Sequence, residues 1–179
     1  AKGDLIRFDL GCIYQGYRSD ISRTAVLGAP TDKQRRYYDA IRDGERAAIA
    51  AMKPGVPVSQ IFEIGMRVTR DAGMPHYKRN HVGHGIGRIM HENPQVPNYI
   101  SRDMKKYDFR LEEGLVLAVE PMVNMGTKQV KGLSDYWTQA TQDGKPSAHF
   151  EHTIAMTDDG PWVLTGGPDE KPGQHRRPK

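Results

Sequence analysis

Residues 4–27 read DLIRFDLGCIYQGYRSDISRTAVL, and this stretch decides the fold. Apolar and polar residues alternate through its first half. Ile6, Phe8, Leu10 and Cys12 fall on one face, Arg7, Asp9 and Gly11 on the other. Successive side chains of extended backbone point to opposite faces, so this is the pattern of a half-buried strand. Gln15-Gly16 suits a tight turn. Residues 17–27 return as a second strand, with Asp20, Ser22 and Thr24 on one face, and Gly28-Ala29-Pro30 ends it.

The hairpin register follows from the loop. A two-residue loop at Gln15-Gly16 makes partner numbers sum to 31, so Asp9 faces Ser22 and Asp20 is its diagonal neighbour. A loop at Tyr14-Gln15 makes the sum 29, and Asp9 faces Asp20 directly. Both registers put both carboxylates on the same face. An unbulged three-residue loop would separate them. Side-by-side carboxylates repel, and a cation is the usual resolution. A solvated outer face, or neutralisation by Arg7, Arg18 or Arg23, are the other ways to hold them.

Outward from the hairpin the chain turns helical. Residues 31–52 place Tyr37, Ile41, Ala48 and Ile49 on one helix face, and Lys53-Pro54-Gly55 stops the helix. Residues 57–72 form a second helix with Ile61, Ile64, Val68 and Ala72 as the inner stripe and Gly73 beyond its end. Residues 81–99, with Gly83, Gly85, Gly87, Pro94 and Pro97, read as a loop. Residues 115–124 (LVLAVEPMVN) read as a buried strand, 126–149 as a polar excursion carrying Trp137, 150–157 as a strand and 161–164 as a short last strand. Strands, then helices, then strands predict an α+β fold. We expect one domain over 1–165 and a disordered basic tail over 166–179 (GGPDEKPGQHRRPK).

Composition narrows the class. The 179 residues carry 26 basic against 22 acidic side chains, a net charge of +4. That excess is too small to argue for a specific nucleic-acid partner. No apolar run approaches the roughly 18 residues of a membrane span. The single cysteine, Cys12, excludes an intrachain disulfide and points to a reducing compartment; on the apolar strand face it reads as a small buried thiol. The chain opens at Ala1 and reads as strand almost at once, so we expect a fragment or a processed product.

The acidic residues carry the chemistry. Asp9 and Asp20 lie inside strands, Glu120 ends LVLAVE and Glu151 sits in HFEHTIAM. Unpaired charges in such places cost several kcal/mol. Each alone is most simply a strand-end or surface charge, and His84 alone a loop histidine. Gly83, Gly85 and Gly87 lack the strand–turn–helix context of a phosphate loop. As an ordered set, however, Asp9 and Asp20, His84 in GHGIG, His91 in HENP, Glu120 in VEP and Glu151 in FEHT closely resemble the pita-bread metallopeptidases (M24), and within them the type I methionine aminopeptidases. The resemblance runs from about residue 3 to 164.

The resemblance implies a pita-bread fold, with a central antiparallel sheet, helices packed on one face and the N-terminal portion of the fold missing from this chain. It implies two divalent ions (Mn, Fe(II), Co or Zn) held by Asp9, Asp20, His84, Glu120 and Glu151, a donor set that suits such metals. His91 would hydrogen-bond the scissile carbonyl, and Glu120 would be both ligand and proton shuttle. Met90, His91 and Trp137 would contact substrate. The implied activity is removal of N-terminal methionine from nascent polypeptides in the cytoplasm by a metal-activated hydroxide. Xaa-Pro peptidases of the same fold usually carry an arginine two residues before the last glutamate. Here that stretch is His149-Phe150-Glu151-His152-Thr153, which favours the methionine-specific branch over a Xaa-Pro aminopeptidase or dipeptidase. A non-catalytic interaction protein is disfavoured because all five ligand types are kept. With half of the fold absent, an apolar surface is left uncovered and self-association is expected.

Overall fold

The computed structural model of the chain describes residues 1–74, 83–97 and 108–167. Among these residues the elements are β1 (Leu5–Leu10), β2 (Ile13–Tyr14), β3 (Tyr17–Arg18), β4 (Ile21–Val26), α1 (Asp32–Ala50), α2 (Val58–Asp71), β5 (Gly83–Gly85), β6 (Glu92–Val96), β7 (Val116–Val119), β8 (Met122–Asn124), β9 (Val130–Gly132), β10 (Gln139–Thr141), β11 (Ser147–His149), β12 (His152–Thr157) and β13 (Gly160–Val163). The largest sheet is antiparallel, in the order β13-β12-β7-β5-β6. The hairpin β1–β4, the pair β8–β11 and the ribbon β9–β10 stand beside it.

Both helices form where the sequence places them. Thr31 and Gln34 close a capping box at the start of α1, each side chain accepting from the other's backbone N–H. Pro57 offers α2 no side-chain cap, and Asp108 takes that role by accepting from the Ser59 N–H at 3.0 Å. The helix pair covers the sheet through one apolar cluster: Ala48 and Ile49 from the end of α1, Met52 just beyond it, Val58, Ile61 and Phe62 from α2, and Leu117, Val119, Ile154 and Met156 from the sheet. Tyr37 and Ile41 join Val123, Ala148 and Phe150 in a second cluster. No described helix is long and apolar enough to cross a membrane.

The hairpin register is the one set by the Gln15-Gly16 loop. Asp9 pairs with Ser22, Tyr14 with Tyr17, and every partner pair of β1–β4 and β2–β3 sums to 31. Its burial is the reverse of expectation. Phe8 and Leu10 are about half exposed and Cys12 is exposed, so Cys12 is no buried thiol. The polar face is the buried one: Asp20, Ser22 and Thr24 turn inward. The inner face packs on residues 149–153, whose polar groups match its hydroxyls, while no described element covers the apolar face.

Three other expectations are corrected. The inner face of α2 is Val58, Ile61, Phe62, Gly65 and Thr69. It is rotated away from the Ile64–Val68–Ala72 stripe because α1 approaches at Gly44 and Gly65, where only small side chains fit. The segment 81–99, read as a loop, contains β5 and β6: its glycines admit close neighbouring strands. The strand read over 115–124 is broken at Glu120-Pro121, and the one read over 150–157 starts only at His152, with Phe150-Glu151 separating it from β11 in the segment read as a polar excursion. Of the expected tail 166–179, residues from 168 on lie outside the described residues.

Candidate metal centre

The two strand breaks lie side by side, and the acidic residues of interest sit in them. Glu120 follows β7 and Glu151 precedes β12; the chain leaves the sheet at both points, so neither carboxylate is committed to a sheet face. On the side of β7 away from β12, β5 carries His84. A Cβ on Gly83 would lie 2.2 Å from the Ala118 carbonyl oxygen, and one on Gly85 would lie 2.3 Å from that of Asn93. Glycine on both sides therefore lets β5 run between β6 and β7 with one side chain, His84, projecting into the cavity.

A cavity of about 960 Å³ opens over these residues. Asp9, Asp20, His84, Met90, His91, Glu120, Trp137 and Glu151 all border it, and so do Arg7 and His149. Asp20, His84 and Glu151 offer donor atoms within 4.8 Å of one another, and Glu120, His149 and Glu151 form a second such group. The His84 Nδ1 lies 2.9 Å from the Gly85 carbonyl oxygen, an obligate acceptor, so Nδ1 carries the proton and Nε2 is left to face the carboxylates. That Nε2 lies 3.5 Å from Glu120 Oε1 and 3.8 Å from Asp20 Oδ2. His91 packs edge-on against His84, ring centroids 4.4 Å apart.

Asp9 stands apart. It borders the cavity but belongs to neither donor group; its Oδ2 is ion-paired with Arg7 Nη2 at 3.2 Å. Trp137 is 89% exposed at the tip of the β9–β10 ribbon. Asp135 fixes that tip by accepting from the Trp137 and Thr138 N–H groups at 3.1 and 2.8 Å and from the Thr138 hydroxyl, bonds that hold its carboxyl below the usual range.

The acidic cluster is strained toward protonation. Burial pushes Glu120 up to about 7, with Asp20 and Asp9 adding to it and His84 opposing. Burial, then the charges of Glu120 and Asp20, push Glu151 up to about 9, against the lowering effect of the Ser22 hydrogen bond. Asp20 is raised by burial and by Asp9. Three mutually repelling buried carboxylates with two imidazoles between them form a donor set that divalent cations relieve, and the mixture of carboxylate oxygen and imidazole nitrogen fits Mn, Fe(II), Co or Zn.

A hydroxyl-lined seam holds the cluster. The Thr153 hydroxyl accepts from the Asp20 N–H at 3.1 Å and donates to the Asp20 carbonyl at 2.7 Å. Ser22 Oγ donates to Glu151 Oε2 at 2.8 Å, and the Glu151 N–H donates to the Ser22 carbonyl at 3.0 Å. The Thr24 hydroxyl accepts from the His149 N–H and donates to its carbonyl, both at 3.0 Å. Partners across the seam all sum to 173. Read from sequence, Ser22, Thr24, Thr153 and His149 are assigned no site role. For His149 the signal was present: it stands two residues before Glu151, so in extended backbone it shares that residue's side of the chain.

The sequence profile of metallopeptidase family M24 matches residues 1–158. The chain is 41% identical over 167 residues to methionine aminopeptidase A of Synechocystis, covering 92% of this chain and 64% of that protein. Among solved structures, methionine aminopeptidase from Thermotoga maritima superposes with a TM-score of 0.84 at 35% identity, over 92% of this chain and 64% of that one. Prolidase from Pyrococcus furiosus superposes with a TM-score of 0.73 at 29% identity, over 93% of this chain and 42% of that one. The chain thus spans less than two thirds of the length of these relatives.

Proposed function

The chain belongs to metallopeptidase family M24, and on that footing we propose that it is a metal-dependent aminopeptidase removing methionine from the N-termini of peptides and nascent chains. The observation that carries the reading is the convergence of Asp20, His84, Glu120 and Glu151 on one cavity bordered by His91 and Trp137. The absence of arginine from HFEHT favours the methionine-specific branch over Xaa-Pro cleavage.

Asp20, His84, Glu120 and Glu151 would hold two divalent ions, with Asp9 joining them once released from Arg7. Bound there, the ions supply Lewis-acid polarisation of the scissile carbonyl and a water of lowered pKa. Glu120 would take the proton from the attacking water on a carboxylate oxygen and pass it to the departing amine. His91, packed on His84 at the cavity edge, donates to the carbonyl oxygen as it gains charge. Met90 and Trp137 border the space for the methionine side chain. This reading sets the reaction in the cytoplasm, where nascent chains emerge. The exposed apolar residues Phe8, Leu10, Ile13 and Tyr14 support self-association of this chain through the β1 face.

The deciding experiment pairs metal analysis with cleavage of Met-Ala-Ser and of a Xaa-Pro peptide. We expect divalent-ion-dependent release of methionine from Met-Ala-Ser alone. Xaa-Pro cleavage would move the chain to the other branch. Metal binding with no cleavage of either peptide would make it an interaction protein, or show that residues outside 1–179 complete the pocket.

A further inference from the structure

We propose that His149 is a metal ligand, giving the Glu120–Glu151 side of the cavity an imidazole of its own. The inference rests on the metallopeptidase reading above and departs from it in the ligand set. The resemblance drawn from sequence supplies one histidine and four carboxylates; the structure puts two histidines and three carboxylates around the same point.

The main chain fixes where His149 sits. It closes β11, and both its N–H and its carbonyl are held by the Thr24 hydroxyl. Two residues on, Ser22 holds Glu151 in the same register. His149 and Glu151 therefore approach the cavity together. The His149 side chain is 2% exposed and borders that cavity.

The donor spacing is that of a shared ion. His149 Nε2 lies 3.3 Å from Glu120 Oε2, while the other oxygen of the same carboxylate lies 3.5 Å from His84 Nε2. Two donors bonded tetrahedrally to one ion at about 2.0–2.2 Å stand about 3.3–3.6 Å apart. Glu120 is thus flanked by an imidazole on each side, and Glu151 belongs to both three-donor groups. Each donor group has one histidine and one carboxylate of its own, with Glu151 common to both. Asp9, the residue expected to complete the second position, is outside both groups and paired with Arg7. A second imidazole shifts the site toward Zn and Co and away from Mn and Mg.

A His149 that only oriented Glu120 by a hydrogen bond would be reproduced by glutamine, whereas ligation by imidazole would not be. The test uses the full chain, stripped of metal and titrated with Co(II) in a calorimeter, followed by proton NMR of the Co(II) form. A ligating imidazole shows its remaining ring N–H as a strongly shifted, solvent-exchangeable resonance. We expect two Co(II) per wild-type chain and two such resonances, one of them missing in His149→Gln, with binding of one of the two ions weakened at least tenfold. Circular dichroism of the metal-free proteins checks that the variant folds. If it does not, the wild-type spectrum decides alone. Two bound ions with a single shifted ring N–H overturn this inference and leave the metallopeptidase reading standing. A wild-type chain that binds no Co(II) overturns both.

Discussion

Ser22→Ala tests the seam from the side that touches no substrate. Ser22 is fully buried, and its hydroxyl donates to Glu151 Oε2 at 2.8 Å. The substitution removes one oxygen and leaves the backbone bond from the Glu151 N–H to the Ser22 carbonyl in place. A hydrogen bond to a charged group contributes about 1.5–3 kcal/mol, and each 1.4 kcal/mol is a factor of ten in an equilibrium constant. The bond is strongest when Glu151 is ionised, which is its state with metal bound. The loss therefore falls on metal affinity, by about 10–100-fold, the range known for removing a partner that orients a ligand. It falls only weakly on the metal-free protein, in which Glu151 is protonated up to about pH 9. Calorimetric titration with Zn(II) or Co(II) measures the first effect and thermal melting of the metal-free chain the second. Ser147→Ala is the control, since that hydroxyl serves the Val123 carbonyl. Unchanged metal affinity in Ser22→Ala, or a loss equal to that in Ser147→Ala, would refute the argument that Ser22 positions Glu151.

Three further outcomes are expected. His91→Ala keeps its metal content but lowers turnover by roughly 10²–10³, the cost of one preorganised donor to a developing charge; loss of metal would make His91 a ligand. The metal-free protein loses stability as pH rises from about 5 to 9. The folded values of Glu120 (about 7) and Glu151 (about 9) exceed the ordinary 4.5, so the folded state binds more protons through that window, and a melting temperature that climbs across it contradicts the shifts. Gly65→Ala puts a Cβ 2.9 Å from the Gly44 carbonyl oxygen and 3.2 Å from Ala48 Cβ, and should destabilise by about 1–2 kcal/mol despite alanine's better helix propensity; a melting point at or above wild type would show that the helices can separate freely.

Period and turn chemistry narrowed the hairpin to two registers that put Asp9 and Asp20 on the same face, and the structure has the one set by the Gln15-Gly16 loop. Both helices were legible because their apolar residues recur at helical spacing and because Pro54 and Gly73 mark where they stop. Burial was not. Phe8, Leu10 and Cys12 have the alternation of a core face, but alternation tells which residues share a side and nothing about which side another element covers. The inner side went to Asp20, Ser22 and Thr24 because residues 149–153 offer them matched hydrogen bonds. The same limit hid His149: the motif FEHT drew the reading to Glu151, while the histidine gains its meaning from Glu120, across the cavity and from another segment. β5 and β6 were missed because Gly83 and Gly85, usually loop residues, are there to let strands pass close on both sides.

The seam that sums to 173 has a consequence for the timing of synthesis. It joins Asp20 to Thr153, 133 positions later in the chain. At about 5–20 residues per second, the hairpin leaves the peptidyl-transferase centre roughly 7–27 s before its partner strand is made. During that interval Asp20, Ser22 and Thr24 have nothing to dock on, and Glu151 does not yet exist. The cavity cannot close before Thr153 is made. No shorter nascent chain can bring Asp20 and Glu151 together, so a ribosome carrying an unfinished copy offers metal ions no assembled centre to fill.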